Sequence, residues 1–153
     1  MPSSLDFIQR PTVFAGVFPV AVDAKKRLTI PARWRSAALE EIFILKSPNR
    51  HCLMALPQDV LEAMSEKAGS QAPTVSDHQT FKDIFFSKAL GIPVDSQGRM
   101  VLTDDLCRFA GITKEAVLAG SGEKFDIWNS GAWSGHQQAV DATYTTMLKS
   151  LGL

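Results

Sequence analysis

Two acidic and two basic side chains recur at one spacing in this chain of 153 residues: Asp23 precedes Arg27 by four positions, and Asp95 precedes Arg99 by four. On a helix each pair would meet across one turn. Here, however, Val22-Asp23-Ala24-Lys25-Lys26-Arg27-Leu28-Thr29-Ile30 and Val94-Asp95-Ser96-Gln97-Gly98-Arg99-Met100-Val101-Leu102 lie between β-rich runs. The Asp then opens a tight turn and the Arg closes it, with the carboxylate accepting turn N–H groups and pairing with the guanidinium. Such a staple is the expected role of Asp23, Asp95 and Arg99. The first copy carries more. Lys25, Lys26 and Arg27 are consecutive and Arg33 and Arg35 follow, so residues 22–35 have a net charge of +4, whereas residues 94–107 have −2. Three cations at one tip suit the phosphates and base edges of a duplex, with a solvated loop as the alternative. Contact with DNA is therefore expected of Lys25, Lys26 and Arg27, and of Arg10 upstream, while Arg33 and Arg35 at the first helix either contact DNA or pair with acidic neighbours.

Other chemistries find no matching pattern. His51, His78 and His136 are scattered without ligand spacing, and Ser121 between Gly120 and Gly122 reads as a turn, not a nucleophile elbow or phosphate loop. Asp104 and Asp105 suit the first turn of a helix. Trp34, Trp128 and Trp133 read as core or interface. The expectation is a protein that is not an enzyme, with no metal, cofactor or small-molecule substrate.

Charge points the same way once it is divided along the chain. The whole is formally neutral, but residues 1–50 carry eight Lys and Arg against four Asp and Glu, which leaves the remainder at −4. A basic front and an acidic back fit one face built for an anionic partner. Cys52 and Cys107 stand apart in apolar surroundings, as buried free thiols of a reducing compartment would. The apolar segment 12–22 is not read as a signal peptide, because Asp6 spoils a positive n-region and the segment runs into the repeat. No run is long enough to span a bilayer. A cytoplasmic, nucleoid-associated protein without a membrane partner is expected.

The elements that must position the two turns also come in pairs. The two phrases start 72 residues apart, and Phe14 falls opposite Phe86 at the same offset, so the chain reads as a tandem duplication. Each copy reads as strand, turn, strand, short helix, strand, turn, strand, longer helix. In the first copy these are Val13 to Val22, the turn, Leu28 to Ile30, a helix from Pro31 toward Leu39, Ile42 to Leu45, Cys52 to Leu56, and a helix opened by Pro57 that fades after Ala68. In the second they are Phe85 to Val94, the turn, a helix capped by Thr103 and ended by Gly111, Val117 to Ala119, Phe125 to Trp128, and an amphipathic C-terminal helix. That helix, with Trp133, Val140, Tyr144, Met147, Leu148 and Leu151, would either cover its own repeat or dock on a partner. The expected organisation is a first repeat at 12–68, a linker at 69–77 and a second repeat with the helix at 78–153. Four short strands alone leave edges exposed, so the two repeats should interleave into one compact α+β unit, a closed β-barrel with short peripheral helices.

In this order and spacing the motifs resemble those of the MraZ family, regulators encoded at the head of the bacterial division and cell-wall gene cluster, within the broader AbrB-like group. The resemblance runs from about Phe14 to Trp133. It rests on Phe14-x-Gly16, on Asp23-Ala24-Lys25-Lys26-Arg27-Leu28 with Ile30-Pro31-Ala32 and Arg35, and on Asp95-x-x-Gly98-Arg99. Ala110-Gly111-Ile112-Thr113-Lys114-Glu115, Gly120 and Phe125-Asp126-Ile127-Trp128-Asn129 extend it. It implies a swapped-hairpin barrel, ring-like homo-oligomers, and binding to short direct repeats in the promoter of the protein's own operon, with Lys25 and Arg27 as the basic pair of the first turn. Lys26 stands where the family usually has Gly, which implies a different turn conformation or shifted phosphate contacts. The competing class is a non-catalytic interaction module, an adaptor or antitoxin-like inhibitor, in which the acidic half or the last helix is the working surface.

Overall fold

The computed structural model describes residues 12–36 and 39–153. In the first half, β1 (Val17–Ala21) and β2 (Arg27–Thr29) lead through a single 3-10 turn at Ala32–Trp34 to β3 (Glu41–Ser47), β4 (Cys52–Leu56) and helix α1 (Gln58–Ser70). Helix α2 (Val75–Lys88) follows. The second half runs β5 (Leu90–Pro93), β6 (Arg99–Val101), α3 (Asp104–Ala110), β7 (Glu115–Gly120), β8 (Phe125–Trp128) and α4 (Ser130–Ser150).

The strands of the two halves interleave. One antiparallel sheet has the order β1-β7-β8-β4-β3-β5, a palindrome in which the first strand of each half pairs with the third strand of the other. A separate two-stranded ladder joins β2 to β6, with Leu28 directly opposite Met100. Those two residues are 72 apart, so a pseudo-two-fold axis passes between them. The flanking bonds obey it: the Ile30 N–H donates to the Gly98 carbonyl at 2.9 Å and the Leu102 N–H to the Lys26 carbonyl at 2.9 Å.

Closure into a barrel, expected from the sequence, is not found. Among the described residues the large sheet ends at β1 and β5, and no ladder connects them. The strands that would bridge the gap, β2 and β6, are three residues each and spend their hydrogen bonds on one another.

Other differences are local and have local causes. Gly16, at φ +97°, interrupts the run expected from Val13, leaving Phe14 as an isolated bridge to Gly122 ahead of β1. The helix expected after Pro31 is one 3-10 turn, and Ala37 and Ala38 lie outside the described residues. The segment 69–77 is not an irregular linker: α1 continues to Ser70, and Thr74 caps α2 by accepting a hydrogen bond from the Asp77 N–H at 3.0 Å. Helix α2 also takes Phe85 to Lys88 from the expected strand, because Phe85 packs on the cluster of Leu45, Leu56 and Leu61. Phe14 and Phe86 are therefore not equivalent. Phe14 is buried, whereas Phe86 lies exposed on α2.

The core lies along the pseudo-axis. Leu28, Met100, Ile30 and Leu102 meet Phe14, Trp34 and Phe125 in one buried cluster. Trp34 stands edge-on to Phe14 at 5.5 Å and to Phe18 at 5.0 Å, and its indole N–H donates to the Ala15 carbonyl at 3.0 Å. Truncating such a side chain costs about 3–5 kcal/mol, so it clamps the chain entering β1 onto the core. Gly120 serves the same approach, since a Cβ there would overlap the Phe14 carbonyl. Thr103 caps α3 by accepting from the Leu106 N–H at 3.2 Å, and Gly111 ends that helix at φ +69°, both as expected. Cys52 and Cys107 are buried free thiols. Among the described residues no helix is long and apolar enough to cross a membrane.

Candidate nucleic-acid interface

The two Asp-x-x-x-Arg turns match bond for bond. In the first, Asp23 Oδ1 accepts from the N–H groups of Lys25 and Arg27, both at 2.9 Å, while Oδ2 accepts from Arg27 Nε at 2.7 Å. In the second, Asp95 Oδ1 accepts from Gln97 and Arg99 at 2.9 Å, and Oδ2 from Arg99 Nε at 2.8 Å. The backbone closes each turn identically, from Lys26 N–H to the Asp23 carbonyl and from Gly98 N–H to the Asp95 carbonyl, each at 2.9 Å. Both carboxyls are held below the usual carboxylate value, chiefly by the Arg backbone N–H with the guanidinium bond adding to it. Arg27 and Arg99 thus make the same staple.

Lys26 keeps the left-handed turn that Gly98 makes in the second copy. Its φ is +61° beside +80° for Gly98, so the sequence-based expectation of a different backbone conformation is corrected. A non-glycine residue in the left-handed region costs of order 1 kcal/mol and needs a compensating contact. Lys26 has one across the pseudo-axis: its ammonium pairs with Asp104 in the first turn of α3. That pair raises the lysine pKa and lowers that of Asp104. On the other side, the Arg35 side chain lies on Gly98, where a Cβ would overlap it. Each turn tip therefore rests on the helical segment of the opposite half. Arg35 Nε is buried there without a hydrogen-bond partner among the described residues.

The remaining sequence-assigned cations separate in kind. Arg33 is stacked over the Phe18 ring at 5.7 Å. Lys25, exposed at the tip, has no ion pair among the described residues. Arg10 lies outside the described residues.

Sequence reasoning missed the surface between the tips. In β2 and β6, Leu28 and Met100 are buried, so the alternate residues Arg27, Thr29, Arg99 and Val101 share the outward face of the two-stranded ribbon. The alternation was visible in Arg27-Leu28-Thr29 and Arg99-Met100-Val101; the pairing that joins them was not. The partner of Lys26 was missed too, because Asp104 is explained equally well as a helix-start residue.

The outward face of the ribbon thus carries guanidinium, hydroxyl and methyl groups, with the Lys25 ammonium, unpaired among the described residues, at one end. Comparison with known proteins agrees with the class. Residues 85–147 match the family model described as "MraZ protein, putative antitoxin-like". The chain is 33% identical over 139 residues to the transcriptional regulator MraZ of Desulfitobacterium hafniense, covering 91% of this chain and 96% of the relative. It is 34% identical over 137 residues to that of Symbiobacterium thermophilum, covering 90% and 99%. With the corresponding regulator of Nitrosomonas europaea it shares 34% over 125 residues, or 79% and 84%. With this identity sustained over nearly the full length of these regulators, the chain belongs to the MraZ family.

Proposed function

We propose that this chain is a sequence-specific DNA-binding transcriptional regulator that lays its β2–β6 ribbon against the major groove. The observation that carries the reading is the outward face of that ribbon, Arg27, Thr29, Arg99 and Val101, with Lys25, unpaired among the described residues, at one end. Arg27 reaches base edges with the guanidinium nitrogens that the staple leaves over, and Lys25 takes a phosphate. Lys26 holds the tip in place through Asp104. Arg33, Arg35 and Arg10 are secondary contacts, while Asp23, Asp95 and Arg99 shape the turns.

Few phosphate contacts per protomer make for weak, salt-sensitive binding, each neutralised phosphate contributing about 0.9 to the log–log salt slope. Several ribbons on one homo-oligomer, set against short direct repeats in the promoter of the division and cell-wall cluster, supply the missing affinity by avidity. The repeats at 12–68 and 78–153 act as one unit, in the cytoplasm at the nucleoid.

The test is a gel shift with DNA upstream of the protein's own gene over a salt series, beside thermal melts. Arg27→Ala should lower the melting temperature as Arg99→Ala does, because both lose the same staple, and only Arg27→Ala should also abolish binding. Equal retention of binding by both variants at moderate salt would overturn the assignment and favour the interaction module.

A further inference from the structure

The pseudo-symmetry that relates the turns also relates the two helices that close the halves. Helix α1 starts at Gln58 and α4 at Ser130, again 72 residues apart, and both begin by packing on the outer face of the sheet. Leu61 rests on Leu45 and Leu56, and its counterpart Trp133 rests on Val117 and Trp128. Beyond that first contact the halves diverge. In the first, α2 lies alongside α1, with Gly69 against the His78 ring and Ala68 and Ala72 half-buried. In the second, the counterparts of Ala68 and Ala72 are Val140 and Tyr144, and among the described residues nothing covers them.

Val140, Tyr144, Met147 and Leu151 are 40%, 61%, 60% and 72% exposed at spacings of four, three and four, which aligns them in one stripe. The helix is 21 residues long, about 31 Å, and contains no buried residue. It covers its own repeat through Trp133 and through His136, whose ring stacks on Trp128 at 4.8 Å, and the rest projects.

A matching surface exists elsewhere on the chain. Helix α2 buries Phe85 against the first half but leaves Phe81 and Ile84 on its outer side, 36% and 52% exposed. They border an apolar groove that continues to Leu90, Leu106 and Phe109. Lys88, unpaired among the described residues, stands on its rim, opposite in sign to Asp141 beside the stripe.

We propose that the Val140–Leu151 stripe of α4 docks in the groove beside α2 of a second copy of this chain. The occupant is a second copy because the chain itself supplies both halves of the contact: an uncovered apolar stripe on α4 with Asp141 beside it, and an apolar groove on the outer side of α2 with Lys88 on its rim. Stripe and groove are different surfaces, so the contact is head-to-tail and every copy has one of each to offer, the geometry that closes rings or extends chains. This inference rests on the homo-oligomer reading above and names its interface.

The experiment is disulfide trapping of the full chain with Ile84→Cys and Tyr144→Cys, both exposed sites, alongside mass measurement by light scattering. Mixing the two single variants under mild oxidation should give a covalent dimer, the double variant a ladder of multimers, and the parent chain, with its buried thiols, neither. Separately, Tyr144→Asp should reduce the mass toward that of one protomer with an unchanged circular dichroism spectrum. A parent multimer that neither cross-links through these sites nor dissociates in Tyr144→Asp would overturn the interface and leave the oligomer reading standing. A monomeric parent would overturn both. A covalent dimer of Tyr144→Cys alone, or a double variant that closes only within one chain, would overturn the interface in favour of α4 pairing with itself or folding onto its own groove.

Discussion

The turn at Asp23–Arg27 and the turn at Asp95–Arg99 are the same object built twice and loaded differently. Every carboxylate bond, the closing backbone bond and the left-handed residue recur, within 0.1 Å in each bond compared. The loads diverge: Ala24, Lys25 and Lys26 in one, Ser96, Gln97 and Gly98 in the other. The scaffold depends on Asp, Arg and one residue tolerant of positive φ, which leaves the two residues between Asp and the left-handed position free to carry function. Charge difference alone overstates the asymmetry. Of the first turn's three cations, Arg27 is engaged by Asp23 and Lys26 by Asp104, so the contrast narrows to Lys25 against Gln97.

Exchanging residues between the turns tests how far the equivalence goes. The largest effect is expected for Gly98→Lys, which imports the first turn's residue into the second. It places a side chain at φ +80°, displaces Arg35, and finds no counterpart of Asp104, since Ala32 stands at the equivalent position. A loss of about 1–3 kcal/mol in a denaturant melt is expected; a stability equal to the parent would break the comparison.

Acid titration sharpens it next. Asp23 and Asp95 both have depressed folded-state pKa values, so their stabilisation is present above the unfolded value of about 3.9 and is lost as pH falls through the folded values. Asp23→Asn and Asp95→Asn should each lower the melting temperature at pH 7, and the gap to the parent should narrow below pH 4. Equal behaviour of the two variants supports equivalent staples; a gap for only one of them ends the equivalence.

The smallest effects come from single charges at the tip. Lys25→Ala should reduce the salt slope of DNA binding by about 0.9 with no change in melting temperature, and Gln97→Ala should change neither. Lys26→Gly relieves the left-handed strain and gives up the Asp104 pair, so stability and salt slope should both stay close to the parent. A slope change as large as that of Lys25→Ala would show that Lys26 leaves Asp104 for a phosphate.

Much of this was legible in the residues themselves. The repeat shows as two matching phrases, and the Asp-to-Arg staple, the Thr103 cap and the Gly111 stop depend on groups within a few positions of one another, as do the local patterns of strands Cys52–Leu56 and Phe125–Trp128. Such interactions are set by φ preferences and side-chain reach, which the local sequence carries. Helix α2 was not legible, because its aromatic residues fit a strand as well as a helix until the surface made by Leu45, Leu56 and Leu61 exists for Phe85 to bury against.

The tertiary structure decided what depends on distance in space. It chose the opposite half as partner for β1 and β5 and joined β2 to β6, so that one alternating run became half of a ribbon with two arginines on one face. Among the described residues it left the large sheet open, with β2 and β6 paired to each other. It gave Lys26 an acidic partner 78 positions away, and it left the apolar stripe of α4 uncovered among the described residues. Sequence alone established that there are two turns and which one carries the extra cations. Which of those cations remains unpaired among the described residues follows only once the chain has brought the two halves together.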